Sequence, residues 1–140
     1  LTTKYFDYRA GLGNVGSYQS SARPFLSASI NIPSDNSVIS ISFPNVTRFV
    51  TIKNQGADSV SEVEMRVGFA ENGVNGTVQN NYLLLNNQES FSADWRVRQL
   101  YIRVDPVGGS TNATASVIAG LTTIDGMELS HNWTGSAGVG

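Results

Sequence analysis

The sequence predicts an all-β fold, an antiparallel β-sandwich built as a single jelly roll with an extended N-terminal arm. Three observations carry this. Period-two alternation of apolar and polar residues runs from residue 25 onwards. The alternating segments are short, about nine of them at intervals of roughly 8–12 residues, as in sandwiches and barrels. The links 33–37, 54–60, 70–80 and 105–112 are longer than a two-residue hairpin turn, which suits crossovers between two sheets. A Greek-key sandwich of another topology is the second choice.

The elements follow in order. In the first strand Leu26, Ala28, Ile30 and Ile32 alternate with Ser27, Ser29 and Asn31, and Pro33-Ser34-Asp35-Asn36 stops it. Residues 37–43 form the next strand, with Ile39, Ile41 and Phe43 inward until Pro44. Over 48–53 Val50 and Ile52 share a face, and Asn54-Gln55-Gly56 ends the run. The clearest alternation is 62–69, where Val63, Met65, Val67 and Phe69 turn inward and Glu62, Glu64 and Arg66 face water. Tyr82–Asn86, Ser90–Trp95, Ala113–Thr122 and a weaker Glu128–Thr134 are further strands. In 99–104 Leu100, Ile102 and Val104 are inward, leaving Tyr101 and Arg103 outside. Turns are expected at Asn72-Gly73, Asn75-Gly76 and Asp125-Gly126, pairs that tolerate positive φ.

Three regions result: an extended arm over 1–24, the sandwich over 25–134 and a flexible tail over 135–140. The arm has no alternating run yet carries Tyr5, Phe6, Tyr8, Leu12, Val15 and Tyr18. These fall at intervals that match neither a helix face nor a strand face, so they are expected to dock irregularly on a neighbouring subunit. Large aromatics are frequent interface anchors.

Composition narrows the chemistry. The 140 residues hold nine basic and eleven acidic groups for a net charge of −2, and only Lys4 and Lys53 are lysines. Phosphate-neutralising surfaces need clustered Lys and Arg, so direct nucleic-acid binding is not expected. With no cysteine, disulfides, thiolate nucleophiles and zinc-thiolate sites are excluded. One histidine, His131, excludes a His-rich metal centre within the chain. No run approaches the roughly 18 apolar residues of a membrane-spanning helix. No cofactor and no metal are expected.

Each motif with a chemical meaning has a plainer one. Gly11-Leu12-Gly13-Asn14-Val15-Gly16 matches G-x-G-x-x-G, but a dinucleotide loop must follow a buried strand and open a helix. Here the glycines let an arm bend. Glu62 and Glu64 stand on one strand face about 7 Å apart, yet Arg66 continues their row, as on a solvated charged face. His131 beside Ser130 lacks a G-x-S-x-G elbow and a partner set. Four sequons, at Asn45, Asn75, Asn112 and Asn132, are what so much Asn, Ser and Thr produces by chance. The expectation is that the chain is not an enzyme. Arg96, Arg98 and Arg103 lie near Trp95 and Tyr101 in sequence, a composition suited to a subunit interface.

The stretch Asp7-Tyr8-Arg9-Ala10-Gly11-Leu12-Gly13-Asn14-Val15-Gly16-Ser17-Tyr18-Gln19, followed by Arg23-Pro24-Phe25, resembles the N-terminal segment of small structural proteins of DNA viruses. These include proteins of marine and algal viruses and of phages. Phe43-Pro44-Asn45-Val46-Thr47, Met65-Arg66-Val67-Gly68-Phe69, Asn86-Asn87-Gln88-Glu89-Ser90-Phe91 and Leu100-Tyr101-Ile102-Arg103 are similar too. The resemblance implies a jelly-roll capsid component located in the virion, a cement, decoration, minor capsid or vertex protein. It implies other capsid subunits as partners, the major capsid protein or further copies of the chain, and an oligomer within the particle. It supplies no catalytic residues. The alternative from a different class is a carbohydrate-binding, lectin-like sandwich, with Tyr82, Trp95, Tyr101 or Trp133 as sugar platforms and Asn and Asp side chains as hydrogen-bond partners. Trp95, Tyr101, Arg103 and Trp133 are thus candidates for either an interface or a glycan platform.

Overall fold

A computed structural model of the chain describes residues 23–35, 37–56, 63–76, 80–105 and 112–128. Among these residues eight strands form two antiparallel four-stranded sheets. They are β1 (Arg23–Ile32), β2 (Ile39–Ser42), β3 (Asn45–Gly56), β4 (Met65–Gly68), β5 (Leu83–Leu85), β6 (Ser90–Ala93), β7 (Gln99–Val104) and β8 (Ala113–Asp125). A short helix, α1 (Glu71–Asn75), follows β4, and a 3-10 turn over Gly126–Glu128 follows β8. The first sheet has the order β1-β8-β3-β6 and the second β2-β7-β4-β5. Apart from the β4–β5 pair, each connection therefore crosses from one sheet to the other. This is the jelly-roll arrangement of two four-stranded sheets.

The inner faces hold the core. Val50, Ile52, Met65, Leu85, Leu100, Ile102, Ala113, Ala115, Val117 and Ala119 are fully buried and pack in one cluster. Strand β8 lies between β1 and β3 and lines the core mainly with Ala113, Ala115, Val117 and Ala119. Their small side chains leave room for the larger residues of the facing sheet.

Several expectations are corrected. Ser27 pairs with Val117 but Ile30 with Ala115, so β1 carries one extra residue. Ser29 sits there at φ 58. A one-residue bulge flips every side chain on one side of it. Ile30 and Ile32 therefore face in as expected, but Ala28 is exposed and Leu26 is 70% exposed. Phe25 takes the inward position and meets Phe43 edge to face with centroids 4.9 Å apart.

Strand β3 is longer than 48–53 at both ends, since Asn54-Gln55-Gly56 remains paired with β8. The reason is Asn54, fully buried. Its Nδ2 donates to the carbonyls of Val63 (2.6 Å) and Leu85 (3.2 Å), and its Oδ1 accepts from the Gly56 amide (2.8 Å). One side chain thus ties the end of the first sheet to the second. Asn72-Gly73 and Asn75 lie in α1 rather than in turns. Gly76 at φ 72 supplies the left-handed C-cap. Glu128 belongs to the 3-10 turn, and the rest of Glu128–Thr134 lies outside the described residues, as do the arm up to residue 22 and the tail.

Candidate functional site

Arg66 on β4 and Arg103 on β7 occupy the outer face of the second sheet, where alternation puts polar groups in water. Both are instead buried, at 8% and 5% exposure, which corrects the expectation that they are solvated. Helix α1 packs against β4 and β7 over them. Arg66 donates from Nε to Asp105 Oδ1 (3.1 Å), with Nη2 at 2.9 Å from the same oxygen. Its Nη1 donates to the carbonyls of Val74 (3.2 Å) and Asn75 (3.0 Å). Arg103 Nη1 donates to the carbonyl (3.0 Å) and side-chain oxygen (3.1 Å) of Asn75. Cations at the last carbonyls of a helix satisfy acceptors that have no intrahelical partner. Burial, then the charge of Arg66, lowers the pKa of Arg103, against the opposing pull of Asp105 and Tyr82. Gly76 makes the approach possible, because a Cβ there would stand 2.7 Å from Arg66 Nη1.

Beside this cluster lies a cleft of about 400 Å³, where the end of β4 and the start of β5 meet the segment after β6. It is lined by Val67, Gly68, Phe69, Asn80, Asn81, Tyr82, Leu83 and Trp95. Gly68 lets the loop close in, since a Cβ would lie 2.8 Å from the carbonyl oxygen of Asn81. Trp95 meets Phe69 edge to face at 4.9 Å and Phe91 at 5.5 Å with the planes tilted by 34°. Its backbone is held by Thr47 of β3, whose buried hydroxyl donates to the Trp95 carbonyl at 2.5 Å. Across the cleft, the guanidinium of Arg66 stands 4.4 Å over the Tyr82 ring and orients it.

A second surface is the outer face of the first sheet. Leu26 of β1 pairs with Ile118 of β8, Ile118 with Thr51 of β3, and Thr51 with Ser92 of β6. Leu26 and Ile118 are 70% and 45% exposed. Thr51 and Ser92 hydrogen-bond through their hydroxyls at 2.6 Å. This row across four strands holds no charge.

Of the residues singled out in the sequence, Trp95 and Tyr82 come together in the cleft. Tyr101 does not join them: it stands half-buried on the outer face of β7 and donates to Gln99 Oε1 at 3.0 Å. Arg103 belongs to the buried cluster. The three arginines near Trp95 form no common site: Arg96 donates to the Arg48 carbonyl, Arg98 to that of Gly126 and Arg103 to Asn75. Glu64 is half-buried, and Glu62 lies outside the described residues. Tyr5, Phe6, Tyr8, Leu12, Val15, Tyr18, the glycine motif at 11–16, Ser130, His131 and Trp133 also lie outside them. Sequence reasoning missed Asn80 and Asn81, which look like ordinary loop residues, and Asp105, whose role depends on where β7 ends.

Among the described residues no group of three or more His, Cys, Asp or Glu side chains is placed to hold a metal ion. No described helix is long and apolar enough to cross a membrane. Compared with known protein families and with curated proteins, the chain matches none.

Proposed function

We propose that the chain is a virion structural protein, a small capsid component of the cement, decoration, minor capsid or vertex kind, which binds neighbouring capsid subunits through the outer face of its first sheet. The observation that carries this reading is the Leu26–Ile118 pair. Two large aliphatic side chains stand side by side in register, both exposed, in a row with no charged residue. Single exposed apolar residues are ordinary, whereas contiguous ones rimmed by polar groups mark contact surfaces. Pro24 and Phe49 lie next to Gly120 in the adjoining row and extend the uncharged surface. The resemblance in the segments quoted above supports the virion as the setting. The aromatic arm, which leads directly into β1, is the second contact.

The test is sedimentation of the purified chain, alone and mixed with the other shell proteins of its particle, beside the double variant Leu26→Thr, Ile118→Thr. Exposed substitutions of this kind change stability by about 0.5 kcal/mol or less. The wild type is expected to associate and the variant to stay a folded monomer. A variant that co-sediments at wild-type occupancy would overturn the assignment of the face, and a wild type that associates with neither would overturn the function.

A further inference from the structure

We propose that Met127 is a redox modification site: a peroxide converts its thioether to the sulfoxide, and the guanidinium of Arg98 then holds the new oxygen. The site lies in the turn after β8 and shares no residue with the Leu26–Ile118 row, so this inference stands apart from the assembly reading.

The chain has two methionines, and the fold treats them oppositely. Met65 is fully buried in the core, whereas Met127 is 81% exposed, more even than Leu26. Oxidation of a thioether needs contact between oxidant and sulfur, so exposure separates the two.

The turn that carries Met127 is held in place. The Gly126 amide donates to the Pro44 carbonyl (3.0 Å) and the Met127 amide to Asp125 Oδ1 (2.9 Å). Arg98 Nη1 donates to the Gly126 carbonyl at 3.1 Å and stands 3.5 Å from Met127 Sδ. Met127 and Arg98 border one concavity of about 330 Å³, with Phe43, Pro44 and Asp125 in its wall. That space admits a molecule little larger than water, as hydrogen peroxide is.

The step balances with hydrogen peroxide as the oxidant. A sulfur lone pair attacks one peroxide oxygen, so that an S–O bond forms and the O–O bond breaks. The proton on the transferred oxygen passes to the departing hydroxide, which leaves as water. Sulfur loses two electrons and the peroxide gains them. A thioether is a weak acceptor, whereas the sulfoxide is polar and its oxygen accepts well from a cationic donor. The methionine side chain is unbranched and flexible, so a small rotation brings that oxygen within hydrogen-bond distance of Arg98. Oxidation therefore ties the turn after β8 more firmly to the segment that enters β7.

The purified chain is treated in its folded state with hydrogen peroxide and followed by peptide mass mapping. Oxygen addition is expected at Met127 at least about a hundredfold faster than at Met65, which reacts only when the core opens. The oxidised chain is expected to melt about 1–4 °C above the reduced one, and Met127→Leu to show no rise on the same treatment. Arg98→Leu is expected to oxidise as readily and to gain nothing in melting temperature. Should Arg98→Leu fail to fold, Met127→Gln decides: its amide oxygen stands in for that of the sulfoxide, and the untreated variant is expected to melt above the wild type. An unreactive Met127, or Met65 oxidised at a comparable rate in the folded chain, overturns the proposal. So does an oxidised wild type that melts no higher than the reduced one, or a rise of equal size in Arg98→Leu.

Discussion

Arg66 and Arg103 face each other as direct partners across β4 and β7, and both donate to the carbonyl oxygen of Asn75, each at 3.0 Å. Like charges directly opposite in a sheet repel. Here the C-terminal carbonyls of α1 and the carboxylate of Asp105 hold the pair together, so the helix and the two arginines depend on one another.

Asp105→Ala tests that dependence. Removing one partner of a buried ion pair leaves the other uncompensated and costs about 3–5 kcal/mol. Denaturant unfolding is expected to show a loss of that size, with amide exchange over residues 71–75 rising more than in β3. A loss below about 1 kcal/mol would mean that Arg66 is held without its carboxylate.

Gly76→Ala acts on the same cluster from the other side. The residue sits at φ 72, and its new Cβ would meet Arg66 Nη1 at 2.7 Å. A loss of about 1 kcal/mol or more is expected from backbone strain and displacement of the guanidinium. An unchanged melting temperature would refute the close approach.

Asn54→Leu keeps the branching and heavy-atom count of the side chain but makes no hydrogen bond. It strips the Val63 and Leu85 carbonyls of their shared donor and leaves buried acceptors unpaired, at about 1–3 kcal/mol. Equilibrium unfolding measures this, and a gain in stability would show that packing outweighs the bridge.

Val67→Asp places a carboxylate on the inner face of β4, where the wild-type side chain is 2% exposed. An unpaired buried charge costs several kcal/mol against a total stability of about 5–15 kcal/mol, so the variant is expected not to fold. Native circular dichroism with an unchanged melting point would refute the face assignment.

The carboxylate of Asp35 accepts from the hydroxyl of Ser37 and from its amide at 3.1 Å, which holds its pKa below the ordinary value of 3.8. With the folded value depressed, the contribution to stability is present above the unfolded pKa and fades as pH falls through the folded one. Carbon NMR titration should show Asp35 below an unstructured aspartate, and Ser37→Ala should raise it.

Alternation along the chain was enough to specify the sandwich and most of its core. Alternation names Val50, Ile52, Met65, Val67, Leu100 and Ile102 as inward, and all are buried, because a strand with one solvated face must repeat every second residue. Polar alternation failed at Arg66 and Arg103, because a solvent face becomes an interior when another element covers it, and α1 is too short to announce itself by periodicity. It failed at Leu26, because a bulge at Ser29 leaves no compositional mark yet reverses every residue before it. Trp95 and Tyr82 were legible as aromatic candidates from the chain alone. That they share a cleft with Asn80 and Asn81, whereas Tyr101 stands outside it, was decided only by the tertiary structure. The wall of that cleft is built from segments more than ten residues apart, brought together by strand pairing and by an asparagine backbone closing on Gly68.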